Sequence, residues 1–228
     1  MVLRKWEDLP ECMQVREVRK YYEILERKKN SLVLKRAFDI LVSMVLLFLL
    51  SPVFLILAIA IKADSKGPVF YRQVRVTQYG KKFRIHKFRS MVDKADQKGS
   101  LVTVNGDSRI TRVGKLIREK RLDEIPQLID VLQGNMSFVG VRPEVPKYVK
   151  KYTSEMMATL LLPAGITSEA SIRYKDEAKM LDGVEDIDKV YIEQILPIKM
   201  RYNLEMIQQF GVWNEVKTMI RTVFVVLV

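Results

Sequence analysis

The sequence predicts a mainly α-helical protein with one small β-hairpin, an α+β fold, that is attached to a membrane. Three observations predict it. Apolar residues recur at helical spacing in several separate segments. One stretch, residues 40–61, is apolar almost throughout. Two short β-type segments flank a turn that contains Gly80.

Residues 1–33 are polar and charged, and we expect them to form an amphipathic helix. Val15, Val18, Tyr22 and Leu25 fall at the spacing of one helical face. This helix could lie on a membrane surface or pack on the body of the protein.

Residues 34–62 carry the apolar stretch, which is interrupted only by Ser43 and by the Ser51-Pro52 pair. About 22 residues at ~1.5 Å each give roughly 33 Å of helix, enough to cross a bilayer core of ~30 Å. Pro52 has no N–H, however, and its ring clashes with the Phe48 carbonyl, so a helix kinks or breaks there. Basic residues flank both ends, whereas a spanning helix carries its positive excess on one side. Two alternatives therefore stay open: a kinked span, and a re-entrant hairpin with the Ser51 hydroxyl satisfying a freed backbone group.

Two short strands are predicted downstream, at 69–71 and 82–88, with a glycine-containing turn between them. Polar residues 92–108 then predict a mobile loop. Residues 109–118 return to helical spacing, and Arg118 belongs to a basic face beside the apolar one. That face is either solvated or in contact with lipid phosphate.

Asp123 and Glu124 are predicted to lie at, or just before, a helix that has Pro126 in its first turn. Acidic residues commonly cap such helix ends and suit the positive end of the helix dipole. The same helix end can also hold a phosphate, and a carboxylate there can act as nucleophile or metal ligand. Further on, Arg142 precedes the rigid Pro143, a placement that suits bidentate binding of phosphate.

The C-terminal part is predicted to be largely helical. Residues 145–161 and 186–209 show helical patterns, broken by the segment 163–167 and at Pro197. The last stretch, 212–228, is too short to span a bilayer, so we expect an interfacial or buried helix.

Composition limits the chemistry that the protein can perform. The single cysteine, Cys12, excludes an internal disulfide framework and a cysteine-rich metal site. The single histidine, His86, argues against a histidine zinc site or a Ser-His-Asp triad. The net charge of +12 indicates an acidic partner, and beside an apolar stretch anionic lipid headgroups are the simplest one. Nucleic acid is not expected, because the basic residues lack a stacking-aromatic pattern.

In their order and spacing, these motifs resemble the bacterial sugar transferases, the monotopic polyprenyl-phosphate phosphoglycosyl transferases. The resemblance covers roughly residues 34–179. Each motif alone is weak evidence, but the set is highly specific. Its members are Lys35-Arg36-Ala37-Phe38-Asp39, Ser51-Pro52, Gly67–Phe70, Phe83–Met91, Leu122–Leu128, Gly134–Glu144 and Gly165-Ile166-Thr167.

The resemblance implies a reaction at the cytoplasmic face of the bacterial inner membrane. A sugar-1-phosphate passes from a UDP-sugar to undecaprenyl phosphate, and UMP is released, as the first membrane step of polysaccharide or glycan assembly. The implied cofactor is Mg²⁺. The implied partners are the two substrates and membrane lipid, and a second copy of the chain is a candidate partner. The apolar stretch corresponds to a re-entrant hairpin broken at Ser51 and Pro52.

Individual roles follow only from motif position. Asp123 corresponds to the nucleophile that forms a covalent phosphosugar intermediate, and Glu124 to the second catalytic residue, a Mg²⁺ ligand. Val141 replaces the first Pro of the family's Pro-Arg-Pro element. The substrate-binding positions correspond to Lys87, Arg118, Arg142 and Pro143.

The chain departs from the family pattern after Leu160. The usual Arg-Pro-Gly-Ile-Thr-Gly-Trp-Ala is replaced by the sequence of Leu162–Ala170, which lacks the Arg and the Trp. Arg173 or Lys175 could stand in for a later basic substrate-binding position. The altered segment leaves the identity of the sugar open.

The expected organisation has four parts: an N-terminal amphipathic helix (1–33), a re-entrant membrane hairpin (34–62), a cytoplasmic catalytic domain (63–185) and C-terminal interfacial helices (186–228). The alternative to an enzyme is a catalytically inactive, membrane-anchored scaffold that binds anionic lipid or assembly partners. The intact acidic pair and its basic residues argue against that alternative.

Overall fold

The structure, a computed structural model, describes residues 3–95, 107–175, 177–180, 184 and 186–227. Most of the loop predicted at 92–108 therefore lies outside the described residues. The strands are β1 (Phe70–Val76), β2 (Lys82–Phe88), β3 (Met136–Val139) and β4 (Ala164–Thr167). The α-helices are α1 (Arg16–Arg27), α2 (Lys29–Leu49), α3 (Ser51–Asp64), α4 (Arg112–Glu119), α5 (Gln127–Gln133), α6 (Pro146–Val149), α7 (Glu169–Arg173), α8 (Glu177–Met180), α9 (Ile187–Val190), α10 (Leu196–Gln208) and α11 (Val212–Leu227). The predicted α+β class, mainly helical with a small hairpin, is confirmed.

The predicted β-hairpin is present and longer than expected. Strands β1 and β2 pair antiparallel, with Phe70 opposite Phe88 and Val76 opposite Lys82. Its turn contains Gly80 at φ +75°, a left-handed conformation that glycine adopts without steric cost. The first strand therefore continues well past the predicted 69–71.

A second pair of strands was not predicted. Strands β3 and β4 run parallel, with Met136 opposite Ala164 and Val139 opposite Thr167. The prediction that 163–167 only breaks a helix was therefore incomplete. The two backbones come very close here, since a Cβ on Gly165 would lie 2.1 Å from a Gly140 backbone atom.

An amphipathic helix is present in the N-terminal segment but is shorter than the predicted 1–33: α1 follows two 3₁₀ turns, ends before α2, and packs on the body of the protein. Val18 and Leu25 are fully buried in the largest hydrophobic core, which also includes residues of α10. At its surface, Lys20 and the Tyr21 hydroxyl both donate hydrogen bonds to the Glu155 carboxylate, at 2.7 and 2.9 Å. The apolar face of α1 is thus covered by protein.

The predicted break at Ser51-Pro52 is confirmed, and α2 and α3 meet there at 60°. Pro52 cannot donate to the Phe48 carbonyl, and the Ser51 hydroxyl donates to it instead, at 2.7 Å. Within the described residues, no helix alone is long and apolar enough to cross a bilayer, whereas this bent pair meets that test together. Many of its large apolar side chains are exposed: Leu41, Met44, Val45, Phe48, Leu49, Leu55, Ile56 and Ile59.

Polar residues near the start of the apolar stretch attach α2 to the rest of the protein. Lys35 is 3% exposed and donates to the Val139 carbonyl at 2.9 Å and to Glu215 of α11 at 2.7 Å. Arg36 donates to two carbonyls at the end of α5. Asp39 accepts a bond from the Phe138 backbone N–H, at 3.3 Å. We call Lys35, Arg36 and Asp39 the α2 clasp.

A second attachment lies where α3 ends. Arg89, which follows β2, donates to the carbonyls of Ile61, Ser65 and Lys66. Ile61 lies in the last turn of α3, and Ser65 and Lys66 directly follow the helix. The two helices of the bent pair are therefore both attached to the segments that follow.

One helical prediction needs correction, and a second is confirmed. Residues 145–161 do not form one helix: α6 spans four residues, and a 3₁₀ segment covers Met156–Leu161. The helical pattern predicted at 186–209 is interrupted next to Pro197, as expected, because a π-helical turn, Tyr191–Ile195, separates α9 from α10. Pro197 itself occupies the first turn of α10. The helix predicted for the last stretch, 212–228, is present as α11.

Replacing Lys35 by Met should destabilise the protein strongly. The Glu215 side chain is 13% exposed and would lose its cation, which costs about 3–5 kcal/mol of unfolding free energy. The matched control is Lys29→Met on the same helix, whose pair with Glu26 is about half exposed and should cost less than about 1 kcal/mol. Thermal unfolding in detergent micelles measures both. Equal shifts in the two variants would contradict a structural role for the α2 clasp.

Candidate active site

A cavity of about 960 Å³ opens beside the β-hairpin. One wall is formed by β1 and β2, and a second by the segment that follows β3. The turn that carries Asp123 and Glu124, which precedes α5, also lines the cavity. The volume lies within the range of about 300–1,000 Å³ that is typical of ligand pockets.

The positions of Asp123 and Glu124 depend on the local backbone conformation and on one buried side-chain pair, Asp130 with His86. Arg121 adopts a left-handed conformation, φ 54°, and a 3₁₀ turn of Leu122–Glu124 leads into α5. The Asp130 carboxylate on α5 accepts bonds from the His86 backbone N–H and pairs with its ring, both at 2.8 Å. Because Asp130 is fully buried, this contact fixes α5 against β2.

Glu124 is held by two cations from the neighbouring walls. Its Oε1 accepts bonds from Lys87 Nζ at 2.8 Å and from Arg142 Nη2 at 2.6 Å. Burial acts to raise the pKa of Glu124, but the charges and hydrogen bonds of Arg142 and Lys87 outweigh it and hold the pKa well below its usual range. Glu124 is therefore ionised at neutral pH.

Asp123 has a different environment although it is the adjacent residue. It is 8% exposed and lines the cavity, and no described residue forms a hydrogen bond or ion pair with its side chain. Burial raises its pKa, and the negative charge of Glu124 adds to this, against the opposing charges of Lys87, Arg118 and Arg142. The carboxylate thus lines the cavity without a partner from the described part of the chain.

The structure brings most of the predicted substrate-binding residues to this cavity. Those that line it are Lys87, Arg118, Arg142, Pro143 and Lys175. Arg173 is not among them, because it pairs with Glu169 at 2.8 Å and lies over the Tyr202 ring. Of the two alternative basic residues, Arg173 and Lys175, only Lys175 lines the cavity.

Sequence reasoning missed a polar group on the same cavity. It consists of Arg75, Glu144, Glu177, Tyr191 and Lys199. Tyr191 and Lys199 lie far along the chain in a segment predicted only as a helical pattern, so nothing local marked them. Glu144 directly follows the Arg-Pro pair, which was the one available signal.

The donor set suits a divalent cation only in part. The described residues contain no group of three or more His, Cys, Asp or Glu side chains able to hold a metal ion. Glu124 Oε2 has only a long contact, 3.4 Å to Arg142 Nη1, and so keeps acceptor capacity. Mg²⁺ commonly binds through one or two carboxylates and takes its other ligands from water and substrate phosphates. Glu124 is compatible with that mode.

Comparisons with known proteins identify the family of this chain. A family model described as bacterial sugar transferase matches residues 30–228. This chain belongs to the bacterial sugar transferase family. The resemblance predicted from the motifs is therefore confirmed. Residues before 30, including α1, lie outside the matched region.

Relatives of this family member carry related activities in their names. A UDP-N-acetylgalactosamine-undecaprenyl-phosphate N-acetylgalactosaminephosphotransferase of Aeromonas hydrophila is 36% identical over 197 residues, 85% of this chain and 44% of the relative. A UDP-glucose:undecaprenyl-phosphate glucose-1-phosphate transferase of Klebsiella pneumoniae is 36% identical over 198 residues, 85% of this chain and 40% of the relative. An exopolysaccharide production protein of Rhizobium leguminosarum is 49% identical over 112 residues, 49% of this chain and 56% of the relative. The chain thus spans less than half the length of these two relatives.

The two adjacent carboxylates should affect stability with opposite signs. At pH 7 without divalent cations, Asp123→Asn should raise the unfolding free energy by about 1 kcal/mol, because a buried carboxylate with a raised pKa destabilises the folded state when ionised. Glu124→Gln should lower it by about 2–4 kcal/mol, because Lys87 and Arg142 lose their buried anion.

Thermal unfolding of the two variants measures this difference. The contribution of Glu124 is present above its unfolded pKa of about 4.3 and is lost as the pH falls toward its depressed folded pKa. The gap between Glu124→Gln and the wild type should therefore narrow in acid. Shifts of the same sign for both variants at pH 7 would contradict the assigned environments.

Proposed function

We propose that this chain transfers a sugar-1-phosphate from a UDP-sugar to undecaprenyl phosphate, giving undecaprenyl-diphosphate-sugar and UMP. The observation that carries the proposal is Asp123, a carboxylate that has no hydrogen-bond or ion-pair partner among the described residues and that lies in a cavity also lined by Lys87, Arg118 and Arg142. The printed names of the relatives support the substrate class, and the names disagree on the sugar.

In the proposed reaction, Asp123 is the nucleophile. One carboxylate oxygen attacks the phosphorus that bears the sugar, a P–O bond to that oxygen forms, and the bond to the bridging oxygen of the diphosphate breaks. UMP leaves with the electron pair. An oxygen of undecaprenyl phosphate then attacks the same phosphorus and displaces the Asp123 carboxylate. A carboxylate needs no general base to activate it at neutral pH, which fits a chain with one histidine.

The surrounding charges fit the negative charge that this reaction moves. Lys87 and Arg142 come from different walls, and the diphosphate would compete with Glu124 for their hydrogen bonds. The Lys87 and Glu124 side chains are mostly buried, and charges in such a site act more strongly than in water. Arg118, which is 3.4 Å from the Ser90 hydroxyl, completes the cationic side. Glu124 would hold Mg²⁺ together with the diphosphate, and the ion would supply further neutralisation of the leaving group.

The proposal includes a one-sided membrane attachment through α2 and α3. One substrate is water-soluble and the other has a long lipid tail, so the nucleophile must lie at the interface between water and membrane. The exposed apolar side chains of the bent pair fit insertion into one leaflet, and Phe48 beside the break is 79% exposed. Exposed apolar residues of α11, among them Trp213 and Phe224, fit contact with the membrane surface.

Release of UMP in detergent, with undecaprenyl phosphate, Mg²⁺ and a panel of UDP-sugars, tests the activity. We expect turnover with at least one sugar, and a loss of about 10³-fold or more in kcat for Asp123→Asn. Asp8→Asn, at an exposed carboxylate far from the cavity in the chain, is the matched control and should keep wild-type turnover. Full activity of Asp123→Asn would exclude the nucleophilic role. Absence of turnover with every sugar would favour the catalytically inactive scaffold.

Site-directed labelling tests the topology. With Cys12 replaced by Ser, single cysteines at Val33 and Lys66, both exposed, should react with a membrane-impermeant maleimide from the same side of inner-membrane vesicles. A cysteine at Phe48 should be protected until detergent is added. Labelling of positions 33 and 66 from opposite sides would instead establish a kinked span.

A further inference from the structure

The cavity wall that sequence reasoning missed carries a connected set of buried polar side chains. Lys199 donates to Glu177 at 2.7 Å and to the Tyr191 hydroxyl at 3.1 Å. The Tyr191 hydroxyl in turn donates to Glu144. We call Glu144, Glu177, Tyr191 and Lys199 the Glu144 cluster. Glu144, Tyr191 and Lys199 are each less than 9% exposed, and all four line the cavity.

Two independent features indicate that this cluster serves a ligand rather than packing alone. Tyr191 opens the π-helical turn, a rare backbone form that is frequent at functional sites because it changes the direction of a side chain. Arg75, beside the cluster on the same cavity, has a buried Nε without a hydrogen-bond partner in the described residues. Its other nitrogens donate to the Pro143 carbonyl and to Gln73. A buried donor without a partner is costly. The Nε is closed off from the cavity as it stands, so the guanidinium would have to turn toward a ligand oxygen to satisfy it.

The charge of this wall selects the kind of ligand. Glu144 and Glu177 supply two negative charges, and Lys199 and Arg75 supply two positive ones. A phosphate would meet two carboxylates here, whereas Lys87, Arg118 and Arg142 offer it cations elsewhere in the cavity. A neutral ligand with many hydroxyl groups suits the wall better, because each hydroxyl both donates and accepts hydrogen bonds.

The position of the wall agrees with that ligand. Glu144 follows Arg142 by two residues, and the Arg75 guanidinium contacts the intervening Pro143, so the cluster adjoins the cationic side. In the proposed reaction, the phosphorus that Asp123 attacks is joined directly to the sugar. The sugar must therefore lie next to the phosphate-binding residues.

We infer that the Glu144 cluster binds the sugar of the donor and determines which sugar is accepted, an inference that rests on the proposed function. Glu144 accepts hydrogen bonds from sugar hydroxyls. Tyr191 and Lys199 are positioning residues, which hold the Glu144 carboxylate through the Tyr191 hydroxyl. Burial and the neighbouring carboxylate raise the pKa of Tyr191, so that its hydroxyl stays protonated and remains a donor.

Kinetics of UMP release, with inhibition by UMP as a second readout, test the inference. Glu144→Gln and Tyr191→Phe should each raise KM for the preferred UDP-sugar about tenfold, the factor for one hydrogen bond to a charged group. The inhibition constant of UMP, which lacks the sugar, should stay within about twofold, since no contact to it is lost. The preference among UDP-sugars that differ at the 2-acetamido group and in the 4-hydroxyl configuration should also change.

Tyr202→Phe is the matched control, because Tyr202 lies on α10 outside the cavity lining and should leave KM unchanged. Tyr191→Phe removes only a hydroxyl, so it keeps the test decisive if Glu144→Gln folds poorly. If UMP inhibition weakens as much as KM rises, the cluster binds the nucleotide and the inference is wrong. Unchanged KM and unchanged sugar preference in both variants would overturn it too. In either case wild-type turnover would leave the proposed function standing, whereas no wild-type turnover would reject that function itself.

Discussion

The α2 clasp is the contact on which the position of the active site depends. Arg36 binds carbonyls at one end of α5, and the turn with Asp123 lies at the other end, about 10 Å away for a seven-residue helix. Lys35 and Asp39 bind β3, which leads directly to Arg142. The α2 clasp therefore connects the apolar bent pair to two walls of the cavity. In the proposed membrane attachment, this connection would set the depth of the acidic pair relative to α2 and α3.

The α2 clasp consists of buried charged side chains, and removing charges from water to join two elements costs free energy. Lys35 has two good partners, but one oxygen of Asp39 is buried without a hydrogen bond in the described residues. Apolar residues could hold α2 against β3 at lower cost. They would not specify one orientation, however, since α2 already presents apolar side chains on several faces. Charged partners at fixed carbonyls permit one rotation of the helix, and we interpret the clasp as the feature that sets which face of α2 meets the protein.

Sequence reasoning succeeded where the cause is local. The missing N–H of Pro52 and the hydroxyl of Ser51 are properties of neighbouring residues, so the break could be predicted together with its replacement hydrogen bond. The β1–β2 hairpin depends on one turn and was predicted for the same reason. Strand β4 could not be predicted in this way. Four residues are too few to show the two-residue alternation of a strand, and its partner strand β3 lies more than twenty residues away in the chain. The same limit applied to the site: a motif indicated Asp123 and Glu124, but only the fold brings Tyr191 and Lys199 beside Glu144.

The two acidic residues have opposite electrostatic environments because of how the cations are distributed. Lys87 and Arg142 approach from two walls and both reach Glu124, so that carboxylate is bound and strongly acidic. Asp123 experiences the same charges without a hydrogen bond to either cation. Had Lys87 or Arg142 paired with Asp123 instead, an attack on phosphorus would first have to break that ion pair. With Glu124 holding them, the cations stay in the cavity and Asp123 stays accessible, so in the proposed reaction a diphosphate would compete for the cations without disturbing Asp123. The neighbouring carboxylate would thus keep the proposed nucleophile available for reaction.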